Sequence, residues 1–362
     1  MGRLAQTILW FAVIFVSMSV QAQVATDYVI TVRRTGVIEF LDPMTLSTIG
    51  SITVNVPPSN RTGLNGVFAN LDGRTIYVEG PAGTGCCWLY SIDLATLQTK
   101  RVAGIWGTRS RRSFVNVGPS LMQPVSPTAA NATEKPEGDQ WQTSPDGRWW
   151  FGLRNGPALD LYDVARGEIT RSVAATTLDE TSWSIGTWLG NRFFVYAEPR
   201  GSGRLWTVSP ESTQLGDGAP VPELGLVPGC SGGRLTKITA AGDRLLLYEI
   251  FVAKIDRREQ CKDVPGGAWV MDPVTGQFAR LVASTLYFGE LVPNRSGSEI
   301  YGITSEVPDM QAPAQMLRID AHTGNVLQAR LLDTDHWWIA FASLRAIPSG
   351  DVSVELATDE GH

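Results

Sequence analysis

The stretch Asp42-Pro-Met-Thr-Leu46 is a turn that recurs, with variations, in five further places along the chain. The other copies are Asp93-Leu-Ala-Thr-Leu97, Asp163-Val-Ala-Arg-Gly167, Ser209-Pro-Glu-Ser-Thr213, Asp272-Pro-Val-Thr-Gly276 and Asp320-Ala-His-Thr-Gly324. Each copy, called here the Asp turn, follows a short apolar segment such as Val37-Ile-Glu-Phe-Leu41 and precedes another. A turn between β-type segments that recurs every few tens of residues predicts stacked units of antiparallel strands.

A second hairpin turn lies upstream of most Asp turns. In Val67-Phe-Ala-Asn-Leu-Asp-Gly-Arg-Thr-Ile-Tyr-Val-Glu-Gly80, an Asp-Gly pair separates two runs of alternating apolar residues. Equivalent segments lie at 141–153, 185–197, 238–250 and 291–303. Dipeptides of this kind between alternating runs are strong hairpin signals. Two hairpins per unit predict an all-β fold, a closed β-propeller of four-stranded antiparallel blades.

The spacing of the Asp turns predicts six blades, with seven as the alternative. Successive turns lie 51, 70, 46, 63 and 48 residues apart, and propeller repeats run to about 40–50 residues, so the two long intervals contain insertions. The first strand, at residues 27–34, lacks an inner partner, and the tail 338–356 supplies one such strand and one surplus strand. Joining the first and last blades removes open sheet edges. The surplus strand is the argument for a seventh, degenerate blade.

The N-terminal segment 1–22 has the pattern of a signal peptide. Arg3 provides positive charge, Ile8–Val20 is almost continuously apolar, and Ala22 ends the segment with a small residue. The apolar run is short for a membrane span, although an uncleaved anchor is the alternative. We therefore expect an exported protein, periplasmic or secreted, whose residues 23–362 form one domain with an insertion at 106–139.

Composition argues against two classes of partner. The formal net charge is −6 and the chain has 12 tryptophans. Nucleic acids and anionic membrane surfaces both select clustered lysine and arginine, which a mildly acidic chain does not offer. We therefore expect no nucleic-acid partner and no membrane span after removal of the signal segment.

The combination of hairpin and Asp turn carries a family resemblance. The segment 67–80 followed by 89–104 resembles the YVTN-type, lactonase-like propeller repeat of exported bacterial and archaeal proteins. This class includes surface-layer modules, lactonases and the propeller subunits of periplasmic amine dehydrogenases, so the resemblance implies a fold and several possible activities. The motifs concerned are structural and cover essentially the whole mature chain.

Strand alternation predicts that the two ends of the ring differ. The hairpin turns and the Asp turns fall on one face, and all are tight. The opposite face receives the long segments 106–139, 223–234, 253–267 and 306–315. Because long connections in compact folds are often functional, we expect the loop-rich face to bind an unknown small molecule or partner protein.

The four cysteines also fall on the loop-rich face, and in an exported protein an even number predicts two disulfides. Cys230 and Cys261 flank the same hairpin, which predicts a bond between them. Cys86 and Cys87 are adjacent, so they can form a strained ring with each other or pair with the other two. The vicinal pair resembles a feature near the cofactor of quinoprotein alcohol dehydrogenases, but their other motifs are missing here, and we expect no cofactor.

The start of each inner strand should reach the mouth of the central channel. The ligand-binding candidates are Trp141, Trp183, Arg234, Glu290 and Trp337, with Asn65, Glu180, Tyr287 and Trp338 nearby. Aromatic walls with a few charged groups are typical of small-molecule or glycan pockets. The alternative is that these tryptophans simply pack between blades.

Catalytic signals are weak. The three histidines, His322, His336 and His362, match no zinc spacing, and no Gly-x-Ser-x-Gly motif is present. Asp335 beside His336 could form a general base at the channel mouth. Carboxylates could hold a hard cation, but paired liganding spacing is missing, and we expect no metal site.

Two classes of function follow from these observations. The favoured one is a binding scaffold that uses its loop-rich face. The other is an enzyme of the same shape, either a lactonase-like hydrolase or the propeller (heavy) subunit of a periplasmic amine dehydrogenase, which would need a small redox subunit.

Overall fold

A computed structural model describes most strands and most of the tight turns of the chain. The residues described are 24–33, 35–55, 64, 66–82, 85–104, 114–118, 121–124, 141–153, 158–174, 184–197, 204–213, 218–221, 234–251, 268–282, 286–306, 315–333 and 336–356. The predicted signal segment 1–22 lies outside this part. Within it, no helix is long and apolar enough to cross a bilayer.

The described residues form 27 strands. The first thirteen are β1 Thr26–Arg33, β2 Val37–Leu41, β3 Thr48–Asn55, β4 Gly66–Ala69, β5 Thr75–Ala82, β6 Gly85–Asp93, β7 Thr99–Gly104, β8 Phe114–Gly118, β9 Leu121–Pro124, β10 Gln142–Thr143, β11 Trp149–Leu153, β12 Ala158–Asp163 and β13 Glu168–Ala174. The others are β14 Ser184–Leu189, β15 Arg192–Ala197, β16 Arg204–Val208, β17 Ala219–Pro220, β18 Arg234–Ala241, β19 Arg244–Phe251, β20 Ala268–Met271, β21 Phe278–Val282, β22 Leu286–Pro293, β23 Glu299–Glu306, β24 Gln315–Asp320, β25 Val326–Leu331, β26 His336–Leu344 and β27 Gly350–Glu355.

These strands build a six-bladed β-propeller of four-stranded antiparallel blades, as the turn spacing predicts. Numbered along the chain, blade 1 has the strand order β26-β1-β2-β3, blade 2 is β4 to β7, blade 3 is β10 to β13, and blades 4, 5 and 6 are β14–β17, β18–β21 and β22–β25. The first strand named in each blade is the innermost.

The two ends of the chain close the ring in blade 1. The C-terminal strand β26 pairs with β1 in an antiparallel register that matches Ile30 with Ala340 and Thr26 with Leu344. The surplus strand β27 pairs in parallel with β3, matching Gly350 with Gly50. It is therefore a fifth, outermost strand of blade 1, which decides the alternative between six and seven blades in favour of six.

Alternation along the strands buries both faces of each blade. In β1, Val29 belongs to an apolar cluster shared with Tyr301 of blade 6, and Ile30 belongs to a cluster shared with Val67 of blade 2. Blades 3 and 4, 4 and 5, and 5 and 6 share similar clusters. Full burial of one such side chain contributes about 1.5–3 kcal/mol, so these clusters dominate the stability of the ring.

Blades 2 and 3 are joined differently, through part of the predicted insertion 106–139. The hairpin β8–β9 pairs with the inner strand of blade 3 at Asn116 and Gln142, and with the inner strand of blade 2 at Leu121 and Ala69. The two blades and the hairpin thus form one ten-stranded sheet. Because β4 and β10 use their other edges inside their blades, the hairpin occupies edges that face the channel.

The Asp turns share one hydrogen-bond pattern. In five of the six copies, the aspartate Oδ1 accepts the backbone N–H groups two and three residues later, at 2.7–3.2 Å. The fifth residue has a positive φ and donates its N–H to the aspartate carbonyl at 2.7–2.9 Å. That residue is Leu46, Leu97, Gly167, Gly276 or Gly324. Glycine avoids the steric cost of this conformation, and leucine does not.

The connections divide unequally between the two ends of the ring. The tight-turn face carries the turns at 42–47, 70–74, 94–98, 144–148, 164–167, 190–191, 209–213, 242–243, 272–277, 294–298 and 321–325. At the opposite, loop-rich face, β17 ends and β18 begins, and β19 ends and β20 begins, so the long intervals 221–233 and 252–267 both start and finish there. These two long intervals therefore fall at one face of the ring, and the described turns at the other face are short.

Candidate functional site

The predicted ligand-binding residues divide by how much of them the structure describes. Trp183, Asn65, Glu180 and Asp335 lie outside the described residues. The backbones of Arg234, Tyr287 and Trp337 belong to β18, β22 and β26, respectively, but their side chains are outside the described part. Trp141, Glu290, His336 and Trp338 have described side chains.

Trp141 packs inside blade 3. Its ring is buried, meets Tyr162 edge to face with 6.2 Å between ring centroids, and lies where a Cβ on Gly152 would be 2.3 Å away. Its indole nitrogen has no hydrogen-bond partner among the described atoms. This position agrees with the alternative in which the tryptophans serve packing.

Glu290 lies at the boundary between blades 5 and 6, where its carboxylate is almost fully buried. It accepts hydrogen bonds from the ammonium group of Lys237 and from the hydroxyl of Tyr248, both on blade 5. Burial, together with the negative charge of Glu290 and this hydrogen bond, raises the pKa of Tyr248 well above its ordinary value. Tyr248 therefore stays protonated and donates a hydrogen bond to one carboxylate oxygen of Glu290, while Lys237 donates to the other.

Lys237 links this pair to blades 1 and 2. Its ammonium nitrogen lies 5.9 Å from the ring centroid of Trp338, within the range of a cation–π interaction. Trp338 donates its indole N–H to the carbonyl of Val67 at 3.2 Å and meets Phe68 edge to face at 5.7 Å. Lys237, Glu290, Trp338 and Phe68 lie on inner strands, and their contacts, together with Tyr248 on β19, connect four consecutive blades around the channel.

A smaller polar link joins the inner strands of blades 3 and 4. The side-chain amide of Gln142 donates to the carbonyl of Gly186. In return, Trp188 donates its indole N–H to the carbonyl of Gln142 at 3.1 Å. Side chains thus link β10 and β14, which belong to different sheets among the described strands.

The Lys237–Glu290 pair yields a prediction about stability. Lys237→Met would leave the carboxylate of Glu290 buried with Tyr248 as its one donor among the described residues, and we expect the free energy of unfolding to fall by about 2 kcal/mol. Adding Glu290→Gln should recover about half of that loss, because the uncompensated charge is then removed. Urea denaturation of the two single variants and the double variant measures the coupling, with Lys100→Met on the exposed face of β7 as the control. Strict additivity of the two changes would contradict the pairing.

His336, the weak catalytic candidate, is held in an ionic cluster between blades 1 and 6. Its side chain is 1% exposed, its Nε2 lies 2.7 Å from Oε2 of Glu39, and its Nδ1 lies 3.2 Å from the carbonyl of Asp333. Arg33 contacts Glu39 at 3.1 Å and Asp333 at 3.0 Å, and Arg330 lies 3.9 Å from Glu39. Since both ring nitrogens are engaged, the geometry does not favour His336 as the base of a hydrolase.

Glu39 is the centre of that cluster. Burial alone would raise the pKa of its carboxyl group, but the hydrogen bond from His336 and the charges of Arg33 and Arg330 outweigh burial and lower the pKa to about 2. Thr31 adds a hydrogen bond at 3.3 Å. Glu39 is therefore ionised at any physiological pH and holds strand β2 against the C-terminal strand β26.

The cysteines and possible metal ligands complete the set of sequence candidates. Cys86 and Cys87 are on β6, with side chains outside the described residues, and Cys230 and Cys261 lie wholly outside them. The two disulfides stay predictions. Among the described residues, no group of three or more His, Cys, Asp or Glu side chains could hold a metal ion.

No protein-family model and no curated protein sequence matches the chain. The structure resembles TolB from Acinetobacter baumannii with a TM-score of 0.44 and 14% identity, over 94% of this chain and 73% of TolB. It resembles dihydro-heme d1 dehydrogenase NirN in complex with DHE with a TM-score of 0.49 and 13% identity, over 86% of this chain and 74% of NirN. It resembles hydrazine synthase from Kuenenia stuttgartiensis with a TM-score of 0.38 and 12% identity, over 81% of this chain and 76% of hydrazine synthase. Likenesses at this level carry no functional inference, and membership of the YVTN-type class stays a prediction.

Proposed function

We propose that this protein is an exported β-propeller that acts as a binding scaffold and uses its loop-rich face to hold a small molecule or a partner protein. The observation that carries the proposal is the unequal division of connections. The long intervals 221–233 and 252–267 both start and finish at strand ends on one face, whereas the described turns on the other face are short. Long connections in a compact fold are usually functional, because a closed ring of short turns does not need them.

Side chains on the inner strands, which line the channel, give further support to the binding proposal. Lys237 and Trp338 lie on inner strands, and we expect a ligand in the channel to contact them. Lys237 keeps 30% of its side chain exposed although it is paired with Glu290. An ammonium group beside an aromatic ring offers both orientation and apolar contact to a small ligand.

Export is the second part of the proposal, and the predicted signal segment supports it. The apolar run Ile8–Val20 after Arg3 and the small residue Ala22 have the order of a cleavable signal peptide. An exported location would also permit the two predicted disulfides. N-terminal sequencing of the protein from a secreting host should give a start at residue 23, and an intact Met1 would contradict this part.

Blocking one face at a time tests the binding part. A biotin-acceptor peptide is inserted either at residue 274, on the tight-turn face of blade 5, or within 252–267, on the loop-rich face of the same blade. Both proteins are immobilised and probed with one oligosaccharide array and one peptide library. We expect binding with the first orientation and a loss of at least tenfold with the second, because the surface then shields the binding face.

Equal melting temperatures of the two insertion proteins serve as the control, since Val274 is 84% exposed and an insertion beside it should not disturb the ring. Binding that survives only when the loop-rich face is shielded would contradict the proposal. The same conclusion would follow if neither orientation bound any member of the two collections.

A further inference from the structure

Strand β27 covers the outer edge of blade 1. It runs parallel to β3 over six consecutive residue pairs, from Gly350 with Gly50 to Glu355 with Asn55. Among the described strands, each of the other blades ends at its fourth strand, so a fifth strand is particular to blade 1. The ring is already closed by the pairing of β26 with β1, and closure therefore does not account for β27.

The strand that β27 covers has the composition of an association-prone edge. β3 has eight residues, none of them charged and none of them proline, and five of the eight are isoleucine, threonine or valine. The other described outer strands have between two and seven residues. Four of them contain a charged residue, and β17 has two residues, one of which is proline. A long uncharged strand rich in β-branched residues invites pairing with another chain when its edge is open.

One face of β27 attaches the strand to blades 1 and 2. Side chains alternate along a strand, so Val352, Val354 and Leu356 share a face. All three pack in the apolar cluster between blades 1 and 2, where Val354 and Leu356 are each 5% exposed. Thr99 of blade 2 donates its hydroxyl to the carbonyl of Glu355 at 2.7 Å. β27 is therefore held by side-chain burial as well as by its pairing with β3.

The other face of β27 carries the charges that β3 lacks. Asp351 and Glu355 are both exposed and alternate with the valines of the buried face. Ser51 of β3 donates its hydroxyl to the Asp351 carboxylate at 2.7 Å. With β27 in place, the outermost strand of blade 1 presents two carboxylates instead of an uncharged run. Charged side chains on an edge strand are a usual means of preventing edge-to-edge pairing.

We propose that β27 is a protective strand that keeps two copies of this chain from pairing through the edges of their β3 strands. It does so in two ways, because it occupies the backbone edge of β3 and presents like charges to a second copy. An open β3 edge would meet no such repulsion from the β3 edge of another copy, since neither has a charge. The role is separate from ligand binding, because β27 lies at the rim of the ring and the inner strands line the channel.

Removal of β27 tests this role. A chain that ends at Arg345 keeps β26 and lacks β27, whereas a control chain that ends at Leu356 keeps both strands. Sedimentation velocity between about 1 and 100 µM should show a monomer for the control and dimers or larger species for the shorter chain. A synthetic peptide of residues 346–356, added in excess, should return the shorter chain to the monomer.

A charge on the open edge should replace the protection that β27 gives. Thr53→Lys in the shorter chain places a lysine in the middle of β3, and we expect it to weaken the association at least tenfold. The same substitution in the control chain should leave it monomeric, which shows that the lysine itself does not cause association.

Val354→Asp in the full chain carries the test if the shorter chain does not fold. A carboxylate at this buried position opposes docking of β27, so the variant should associate while β1 and β26 keep their protection from hydrogen exchange. Either protein, folded and monomeric at about 100 µM, would overturn the proposal. So would a control chain that associates as strongly as the shorter one, or association that neither the peptide nor Thr53→Lys weakens.

Discussion

Gly324→Ala is expected to lower the free energy of unfolding by about 3 kcal/mol or more, whereas Gly276→Ala should cost only about 1 kcal/mol. The two glycines occupy the same position of the Asp turn, with φ of +71° and +70°. A Cβ on Gly324 would lie 1.8 Å from the carbonyl oxygen of Leu281 in blade 5, and a Cβ on Gly276 would meet nothing within 4 Å. The pair therefore separates the cost of backbone conformation from the cost of contact between blades.

Urea denaturation, followed by tryptophan fluorescence, measures both variants against the wild type. Gly276→Ala is the control, because it has the same backbone conformation without the contact. The difference in stability between the two variants therefore reports the contact of blade 6 with Leu281. Losses that agree within about 0.5 kcal/mol would mean that blade 6 does not approach Leu281 in this way.

Glu39→Gln is expected to lower the free energy of unfolding by about 3 kcal/mol at pH 6–7. The carboxylate is 7% exposed and contacts His336, Arg33 and Arg330, so its replacement by an amide leaves the two guanidinium groups without their counter-charge. Glu211→Gln, on an exposed turn of blade 4, is the matched control and should change stability by less than about 0.5 kcal/mol.

The same variant should remove part of the acid sensitivity of the protein. Because the folded-state pKa of Glu39 is about 2 and the ordinary value is 4.5, the unfolded chain binds the proton first as the pH falls. The contribution of Glu39 is thus complete above about pH 4.5 and declines as the pH falls towards 2. The stability gap between wild type and Glu39→Gln should therefore narrow over that interval. A gap that stays constant from pH 6 to pH 3 would contradict the ionic cluster.

The recurring Asp turn predicted the architecture because its hydrogen bonds join residues that are close together in the sequence. The aspartate of the Asp turn binds backbone N–H groups two and three residues away, whatever blade it lies in. In the fourth copy, Ser209 donates its backbone N–H to the hydroxyl of Ser212 at 2.9 Å, so the position of the turn is preserved with other chemistry. Local hydrogen bonds leave a signal that can be read from a short stretch of sequence.

Leu46 illustrates what the repeat could not predict. It has a φ of 58°, a conformation that costs a residue with a Cβ about 1 kcal/mol. Its side chain is fully buried in the cluster between blades 1 and 6, a gain larger than that cost. Gly324 occupies the same turn position, but there the neighbouring backbone fills the space. The choice between leucine and glycine depends on the adjacent blade, which the turn sequence does not contain.

The candidate site was only partly accessible to sequence reasoning. The sequence predicted Glu290 as a site residue from its place on an inner strand, but it did not predict its partners Lys237 and Tyr248. They lie 53 and 42 residues away from it and meet it across a boundary between blades. One signal was available, because Lys237 interrupts the otherwise uncharged run Leu235-Thr-Lys-Ile-Thr239 of an inner strand. The hairpin β8–β9 was also missed, because the insertion 106–139 lacks the turn signals of the blades.

Hydrogen exchange of the N- and C-terminal strands tests the closed ring most directly. We expect the amides of Thr26–Arg33 and His336–Leu344 to be as strongly protected as those of β18 and β19, because each terminal strand completes blade 1 for the other. The two segments should also lose protection together as urea is added. Exchange of either segment within seconds, while the central blades stay protected, would show that the ring is not closed by these strands.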